Sequence, residues 1–127
     1  MGKVMEKIKV WNFSDPQKFV ETEGLVDTGA TMLVLPQDMV DKLNLRTVRK
    51  TTVKYANNKT EPRTIYGVVT LEVKGRSANF DALAEAAGTQ PLIGQIPLEA
   101  LDLIVNPKSG ELMPNPLSPD IPMMEII

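Results

Sequence analysis

Short apolar and alternating segments run along most of the chain, and few segments have helical spacing. In residues 4–13, Ile8 and Val10 fall on one face and Lys7 and Lys9 on the other, which predicts a half-buried strand. Runs rich in Val, Thr, Ile and aromatic residues, bounded by turn-forming residues, predict further strands. These strands span residues 18–26, 47–56, 64–73, 77–83 and 102–106.

Turn and helix signals separate these strands. Residues 57–59 and 74–76 predict turns, because Asn and Gly tolerate a positive φ. Residues 84–90 are small and polar and predict a loop. Two short helices are expected to begin at Pro36 and at Pro97, since proline is well suited to the first helical position. Together these elements predict an all-β fold, a barrel or a sandwich.

Composition narrows the chemistry more than the fold. The 127 residues carry a net charge of −2 and contain neither histidine nor cysteine. This excludes disulfides, thiolate chemistry, the usual zinc sites and any serine–histidine couple, so an enzyme here must use Asp, Glu, Lys or Tyr. We expect no metal and no cofactor. The basic residues are scattered, so we expect no nucleic-acid partner.

Length and hydropathy indicate how the chain is organised. A chain of 127 residues is expected to form one domain, residues 1–127, of which residues 114–127 are a proline-rich C-terminal extension. No apolar run approaches the ~20 residues of a membrane helix. The first ten residues lack the apolar segment of a signal peptide. We therefore expect no membrane partner and a cytoplasmic location.

One acidic residue stands out against its neighbours. Asp27 directly follows the apolar pair Leu25 and Val26 and precedes the apolar residues 32–35. A partly buried carboxylate is costly unless it is hydrogen-bonded, paired or protonated, which makes Asp27 a candidate site residue. On its own, Asp-Thr-Gly is also compatible with an ordinary structural turn.

Two motifs resemble those of a known family. LVDTGAT at residues 25–31 resembles the active-site signature of the retropepsin-like aspartic proteases, which include the retroviral proteases and small cellular and bacterial relatives. LIG at residues 92–94, followed by the helix predicted at residues 97–101, is similar to the second motif of that family. The resemblance covers about residues 7–113.

The resemblance implies a fold and a set of site residues. The fold would be a retropepsin-like closed barrel with a flap hairpin, which forms a two-fold homodimer. Asp27 would be the catalytic aspartate, Thr28 would hydrogen-bond across the dimer, and Gly29 would let the backbone approach the substrate. Residues expected at the peptide-binding surface come from the loop, the hairpin and the second motif: Ala30, Thr31, Tyr55, Ala56, Asn57, Asn58, Leu92, Ile93 and Gly94.

The implied activity is that of an aspartic endopeptidase acting on a peptide or protein substrate. Hydrolysis needs one carboxylate and one carboxylic acid, and each chain has only one Asp-Thr-Gly, so each subunit of the dimer would supply one Asp27. Ala30 has no hydroxyl to donate to the carboxylate, which leads us to expect optimal activity at mildly acidic pH. Two alternatives remain: a peptide-binding or adaptor dimer with little activity, and a barrel scaffold with an incidental Asp turn.

The chain also departs from the retroviral pattern. Retroviral members usually have an Asp–Arg ion pair at the positions of Thr31 and Gln95, which are neutral here. The hairpin lacks a glycine cluster. Residues 5–11 or residues 123–127 are candidates for the dimer sheet that chain ends form in the viral enzymes.

Overall fold

The computed structural model describes residues 3–127; Met1 and Gly2, at the start of the predicted domain, lie outside the described residues. Strands account for 52% of the described residues and helices for 10%, which confirms a mostly-β fold. The elements follow in the order β1 (Met5–Asn12), β2 (Asp15–Val26), β3 (Leu33–Pro36), α1 (Gln37–Lys42), β4 (Arg46–Lys54), β5 (Thr60–Val73), β6 (Arg76–Glu85), β7 (Leu92–Ile93), α2 (Gln95–Leu101), β8 (Leu103–Val105) and β9 (Leu112–Pro114).

Seven strands form one sheet whose pairings return to the first strand. The order is β1-β2-β7-β3-β6-β5-β4, and β1 pairs a second time, with β5. This second pairing joins residues 9–12 to residues 69–72 in antiparallel register. The hydrogen-bonded circuit therefore runs from β1 through β2, β7, β3, β6 and β5 back to β1, while β4 lies at its edge. A separate two-stranded sheet is formed by β8 and β9.

Two clusters of apolar side chains fill the interior. The larger one takes inward-facing residues of β1, β3, β5 and β6 and closes against both helices, with Val40 of α1 and Leu101 of α2 almost fully buried. The smaller cluster has Val34, Ile65 and Leu83 as its buried members. Alternation along the strands explains the division, since successive side chains point to opposite faces. In β3, for example, Leu33 and Leu35 belong to the larger cluster and Val34, between them, to the smaller one.

Some predicted boundaries were wrong. The loop predicted at residues 84–90 is partly strand, because β6 continues to Glu85 through parallel pairing with β3. The first helix begins at Gln37, since Pro36 is its extended N-cap residue, and the second begins at Gln95 after Gly94. In each case a partner distant in sequence, or the capping geometry, moved the boundary.

The C-terminal extension is held against the body by two side chains. Arg76, a buried residue at the start of β6, donates to the carbonyl oxygens of Leu101, Asp102 and Ser118. The Asp102 carboxylate accepts hydrogen bonds from Asn115 Nδ2 at 3.1 Å, from Ser118 Oγ and from the backbone N–H of Met123 at 3.0 Å. We call this set of contacts the tail clasp. Within residues 3–127, no helix is long and apolar enough to span a membrane.

Candidate active site

The loop that carries Asp27 connects β2 to β3, and β7 pairs with both of these strands. Leu25 and Val26 of β2 lie opposite Leu92 and Ile93 in parallel register, while Val34 of β3 lies opposite Leu92 in antiparallel register. The backbone N–H of Asp27 donates to the carbonyl oxygen of Ile93 at 3.0 Å. The two motifs therefore meet, joined by the pairing with β7 and by this backbone hydrogen bond.

The loop itself orients the Asp27 carboxylate. Oδ1 accepts a hydrogen bond of 2.9 Å from the backbone N–H of Gly29. The Asp27 carbonyl oxygen accepts a second bond, of 3.1 Å, from the N–H of Ala30. A Cβ on residue 29 would lie 3.2 Å from Oδ1, so glycine leaves room for the carboxylate to approach the N–H. Asp27 is half-buried, whereas Thr28 and Gly29 are exposed.

Gly94 is where the second motif packs tightly beneath the loop. A Cβ at this position would lie 2.5 Å from the carbonyl oxygen of Met32, 2.6 Å from that of Ala30 and 2.8 Å from the N atom of Met32. These are backbone atoms, which cannot rotate away as a side chain can. The position therefore requires glycine, for its lack of a side chain.

The start of α2 is also bonded to the loop. The N–H of Gln95 donates to the Ala30 carbonyl oxygen, and the N–H of Ile96 donates to that of Thr31, each at 2.8 Å. The first N–H groups of a helix have no acceptor within the helix. Here the carbonyl oxygens of the loop act as their acceptors. The side chain of Gln95 instead donates to Glu99, at 3.1 Å. Backbone bonds thus join the two segments at the positions where retroviral members have an ion pair.

The predicted hairpin is formed by β4 and β5, and its tip is a tight turn. Within it, the Tyr55 N–H donates to the Lys59 carbonyl oxygen, the Asn58 N–H donates to the Tyr55 carbonyl oxygen, and Asn57 Oδ1 accepts from the Lys59 N–H. Asn58 has φ 66°, a conformation that asparagine adopts more easily than most residues. The turn predicted at residues 57–59 is confirmed. Ala56, Asn57 and Asn58 are exposed.

Tyr55 has a hydrogen-bond partner within the chain. Its hydroxyl donates to Glu85 Oε2 at 2.5 Å, and the same carboxylate accepts from Arg63 Nε at 3.0 Å through Oε1. Burial, and then the hydrogen bond with Glu85, raise the pKa of Tyr55 above its ordinary value. The phenol therefore keeps its proton well above neutral pH and acts as the donor. The sequence analysis gave no role to Glu85 or Arg63. The available signal was the charged Glu85 directly after the apolar residues 82–84.

The smaller apolar cluster connects the hairpin to the loop. Val53 from the hairpin, Met32 from the loop and Leu92 from β7 pack against its buried members. The structure thus brings Asp27, Thr28, Gly29, Ala30, Thr31, Leu92, Ile93 and Gly94 together directly, and links residues 55–58 to them through this cluster and the hairpin strands. Among residues 3–127, no three acidic side chains gather as a metal ion would require.

Comparison with known proteins points to the same segments. A family model described as gag-polyprotein putative aspartyl protease matches residues 19–109, a span that contains the Asp27 loop, the hairpin and β7. No curated protein matches the chain.

Proposed function

The chain belongs to the gag-polyprotein putative aspartyl protease family, and on that premise we propose that it is an aspartic endopeptidase whose two Asp27 carboxyls come from the two subunits of a homodimer. The family supports a hydrolase acting on peptide bonds. One observation carries the assignment to Asp27: its carboxylate is oriented by the Gly29 N–H, in a loop braced by the second motif.

The need for a second subunit follows from the chemistry. Two carboxyls about 3 Å apart cannot both ionise, so they share one proton. The ionised carboxyl takes a proton from water as the water oxygen bonds to the peptide carbonyl carbon, and the protonated carboxyl gives its proton to the carbonyl oxygen. The carboxyl that took the proton from water then gives it to the amide nitrogen, the other carboxylate takes a proton from a diol hydroxyl, and the C–N bond breaks to leave a carboxylic acid and an amine. One Asp27 cannot fill both roles, and a two-fold axis beside it supplies the other.

In this proposal the whole chain, residues 1–127, is one retropepsin-like domain with a closed barrel, and residues 114–127 are its extension. The strand pairings that return to β1 support the barrel. Thr28, exposed in the single chain, would hydrogen-bond across the two-fold axis. The exposed residues Ala56, Asn57 and Asn58 would close over an extended peptide, which Ala30, Thr31 and the half-buried Leu92 would contact from below. Ile93 and Gly94 are buried and act by supporting the loop.

The test combines cleavage with a mass measurement. The wild-type protein, Asp27→Asn and Asp81→Asn are compared on a library of peptides, and the mass in solution is measured for each. Asp81→Asn is a suitable control because it makes the same change from aspartate to asparagine at a position that is exposed on β6. We expect a dimeric mass for all three proteins, and cleavage by the wild type and by Asp81→Asn. The cleavage rate of Asp27→Asn should be at least about a hundredfold lower than that of the wild type, because the substitution removes the acid–base pair.

The outcomes separate the proposal from its main alternative. Equal cleavage by the wild type and Asp27→Asn would contradict the catalytic role of Asp27. A dimer that binds peptides equally well with either residue and cleaves none would favour an adaptor. A monomeric mass at concentrations where cleavage occurs would contradict the shared site.

A further inference from the structure

The outer part of the hairpin extends beyond the rest of the sheet. Residues 60–64 of β5 pair with β4, whereas the pairing of β5 with β6 begins at Ile65, opposite Leu83. Beyond that point the hairpin is a two-stranded ribbon. Such a ribbon is only marginally stable by itself in water, so its position depends on its contacts with the body.

Glu85 makes those contacts from the end of β6. One carboxylate oxygen accepts from the Tyr55 hydroxyl at the tip, and the other accepts from Arg63 Nε on β5. We call these three side chains the Glu85 latch. Among residues 3–127, they make the side-chain hydrogen bonds that join the ribbon to β6. A single side chain therefore holds the tip and the returning strand at once.

The surroundings of the latch favour a strong interaction. The side chains of Glu85 and Arg63 are only 18% and 27% exposed, so water competes less for their charges than at an open surface. The Arg63 guanidinium lies 5.8 Å from the centroid of the Tyr55 ring, within the range of a cation–π contact. Its Nη2 atom donates to Glu61 Oε2 at 2.5 Å, on the exposed side. Glu61 contacts only this outward-facing nitrogen, and it is the carboxylate of Glu85 that joins Arg63 to Tyr55.

We propose that Glu85 is a positioning residue that fixes the hairpin tip and thereby sets how tightly the enzyme captures a peptide. The effect on capture rests on the proposed function, in which the hairpin covers the Asp27 loop. Releasing the latch makes the closed hairpin less populated and so weakens substrate binding. The Asp27 carboxyls are untouched, so the chemical step changes much less.

Hydrogen exchange tests the latch without any substrate. In Glu85→Ala, the tip amides of Tyr55 and Asn58 should exchange about tenfold faster, as expected for the loss of hydrogen bonds to a charged group. Amides at the pairing of β1 with β2 should keep their rates. Tyr55→Phe, which removes only the hydroxyl, should produce a smaller increase. Glu85→Gln, which keeps an oxygen acceptor, should lie between the wild type and Glu85→Ala.

The kinetic test uses the full-length protein and a peptide that it cleaves. Glu85→Ala should raise KM about fivefold to tenfold and change kcat by less than about twofold, because an open hairpin costs binding before the reaction begins. Glu61→Gln is the matched control, since it removes the exposed carboxylate partner of Arg63 and leaves the latch intact. It should match the wild type in exchange and in KM.

Each outcome decides a separate point. If the tip amides exchange at the wild-type rate in both Glu85→Ala and Tyr55→Phe, the proposed latch is wrong, regardless of the cleavage activity. If Glu85→Ala does not fold, the exchange rates of Tyr55→Phe decide the question alone. Faster exchange with an unchanged KM overturns the effect on capture. A wild-type protein that cleaves no peptide overturns the proposed function, and the effect on KM with it, while the exchange rates still decide whether the latch exists.

Discussion

The backbone N–H of Asp27 donates a 3.0 Å hydrogen bond to the carbonyl oxygen of Ile93. This bond ties the loop to a strand that lies far along the chain. The carboxyl group is therefore positioned by long-range pairing as well as by the turn that contains it. Substitutions in β7 or just after it should affect the loop even where they touch no part of Asp27.

Gly94→Ala tests this support. The added Cβ would meet backbone atoms of Ala30 and Met32 at 2.5–2.8 Å, so the loop or the strand must move. We expect the free energy of unfolding to fall by about 1–3 kcal/mol, the usual cost of overpacking a rigid site. Urea unfolding followed by circular dichroism measures it. Gly24→Ala is the control: its Cβ would meet, at 3.1 Å, the end of the Ile8 side chain, which can rotate. Equal losses for the two variants would contradict the tight packing at Gly94.

Ala30→Ser tests the expected pH optimum. Serine would add a hydroxyl that can donate to the Asp27 carboxylate and stabilise its charged form. Because the proposed reaction needs one charged carboxyl, the acidic limb of the pH–rate profile should move to lower pH. The wild type should have its optimum at mildly acidic pH, and a wild-type optimum near pH 2 would contradict the prediction. Ala30→Cys, similar in size but a much weaker donor, should shift the limb less.

The tail clasp should loosen in acid. Hydrogen bonds from Ser118, then from Asn115 and Met123, lower the pKa of Asp102 below its ordinary value. A lowered pKa in the folded state means that the clasp contributes its full stability above the ordinary Asp value of about 3.9 and loses it as the pH falls further. Hydrogen exchange at the Met123 amide, which donates to Asp102, measures this between neutral pH and pH 2 when each rate is divided by that of an unstructured peptide at the same pH. Protection of this amide should fall in acid for the wild type, while Asp102→Asn should be less protected at neutral pH and show less change. An identical pH response in the two proteins would show that Asp102 is not the titrating group; Asp120→Asn, exposed in the same segment, is the control.

Arg76→Lys should destabilise the protein although the charge is kept. The Arg76 guanidinium serves three carbonyl oxygens, on Leu101, Asp102 and Ser118. An ammonium group has a different geometry and leaves one or more of these acceptors without a donor. We expect a loss of about 1–3 kcal/mol in the free energy of unfolding. Arg49→Lys, on the exposed side of β4, should change it by less than about 0.5 kcal/mol. Guanidinium chloride unfolding compares the two, and equal midpoints would argue against a structural role for the buried guanidinium.

Local patterns predicted the parts of the fold that local physics determines. Alternation in residues 4–13 placed β1 to within one residue at each end, and the asparagines placed the hairpin turn. The Asp27 loop was recognisable because a carboxylate between apolar segments is unusual. The supporting segment at residues 92–94 was found through its motif, since two residues of strand are too few for periodicity to show.

The missed features depend on partners that lie far away in the chain. Arg76 was predicted in a turn, but it is buried and donates to carbonyl oxygens of α2 and of the extension. These partners lie more than twenty residues away in the sequence, so the neighbouring residues give no sign of them. Glu85 was placed in a loop, because its strand continues only through pairing with β3. Its role depends on Tyr55 and Arg63 across the sheet. Neither interaction leaves a periodic signal in the sequence.

The place of β7 in the chain has a consequence for how the protein is made. On the ribosome, β1 and β2 emerge early and can pair as a hairpin, but their Asp27 end finds its parallel partner only when Leu92 and Ile93 have been synthesised. Until then the hydrogen bond from the Asp27 N–H to the Ile93 carbonyl oxygen does not exist, and only the local turn supports the aspartate. The Asp27 loop of a nascent chain is therefore only partly supported. If the proposed function holds, the order of translation delays hydrolytic activity until Leu92 and Ile93 have been synthesised.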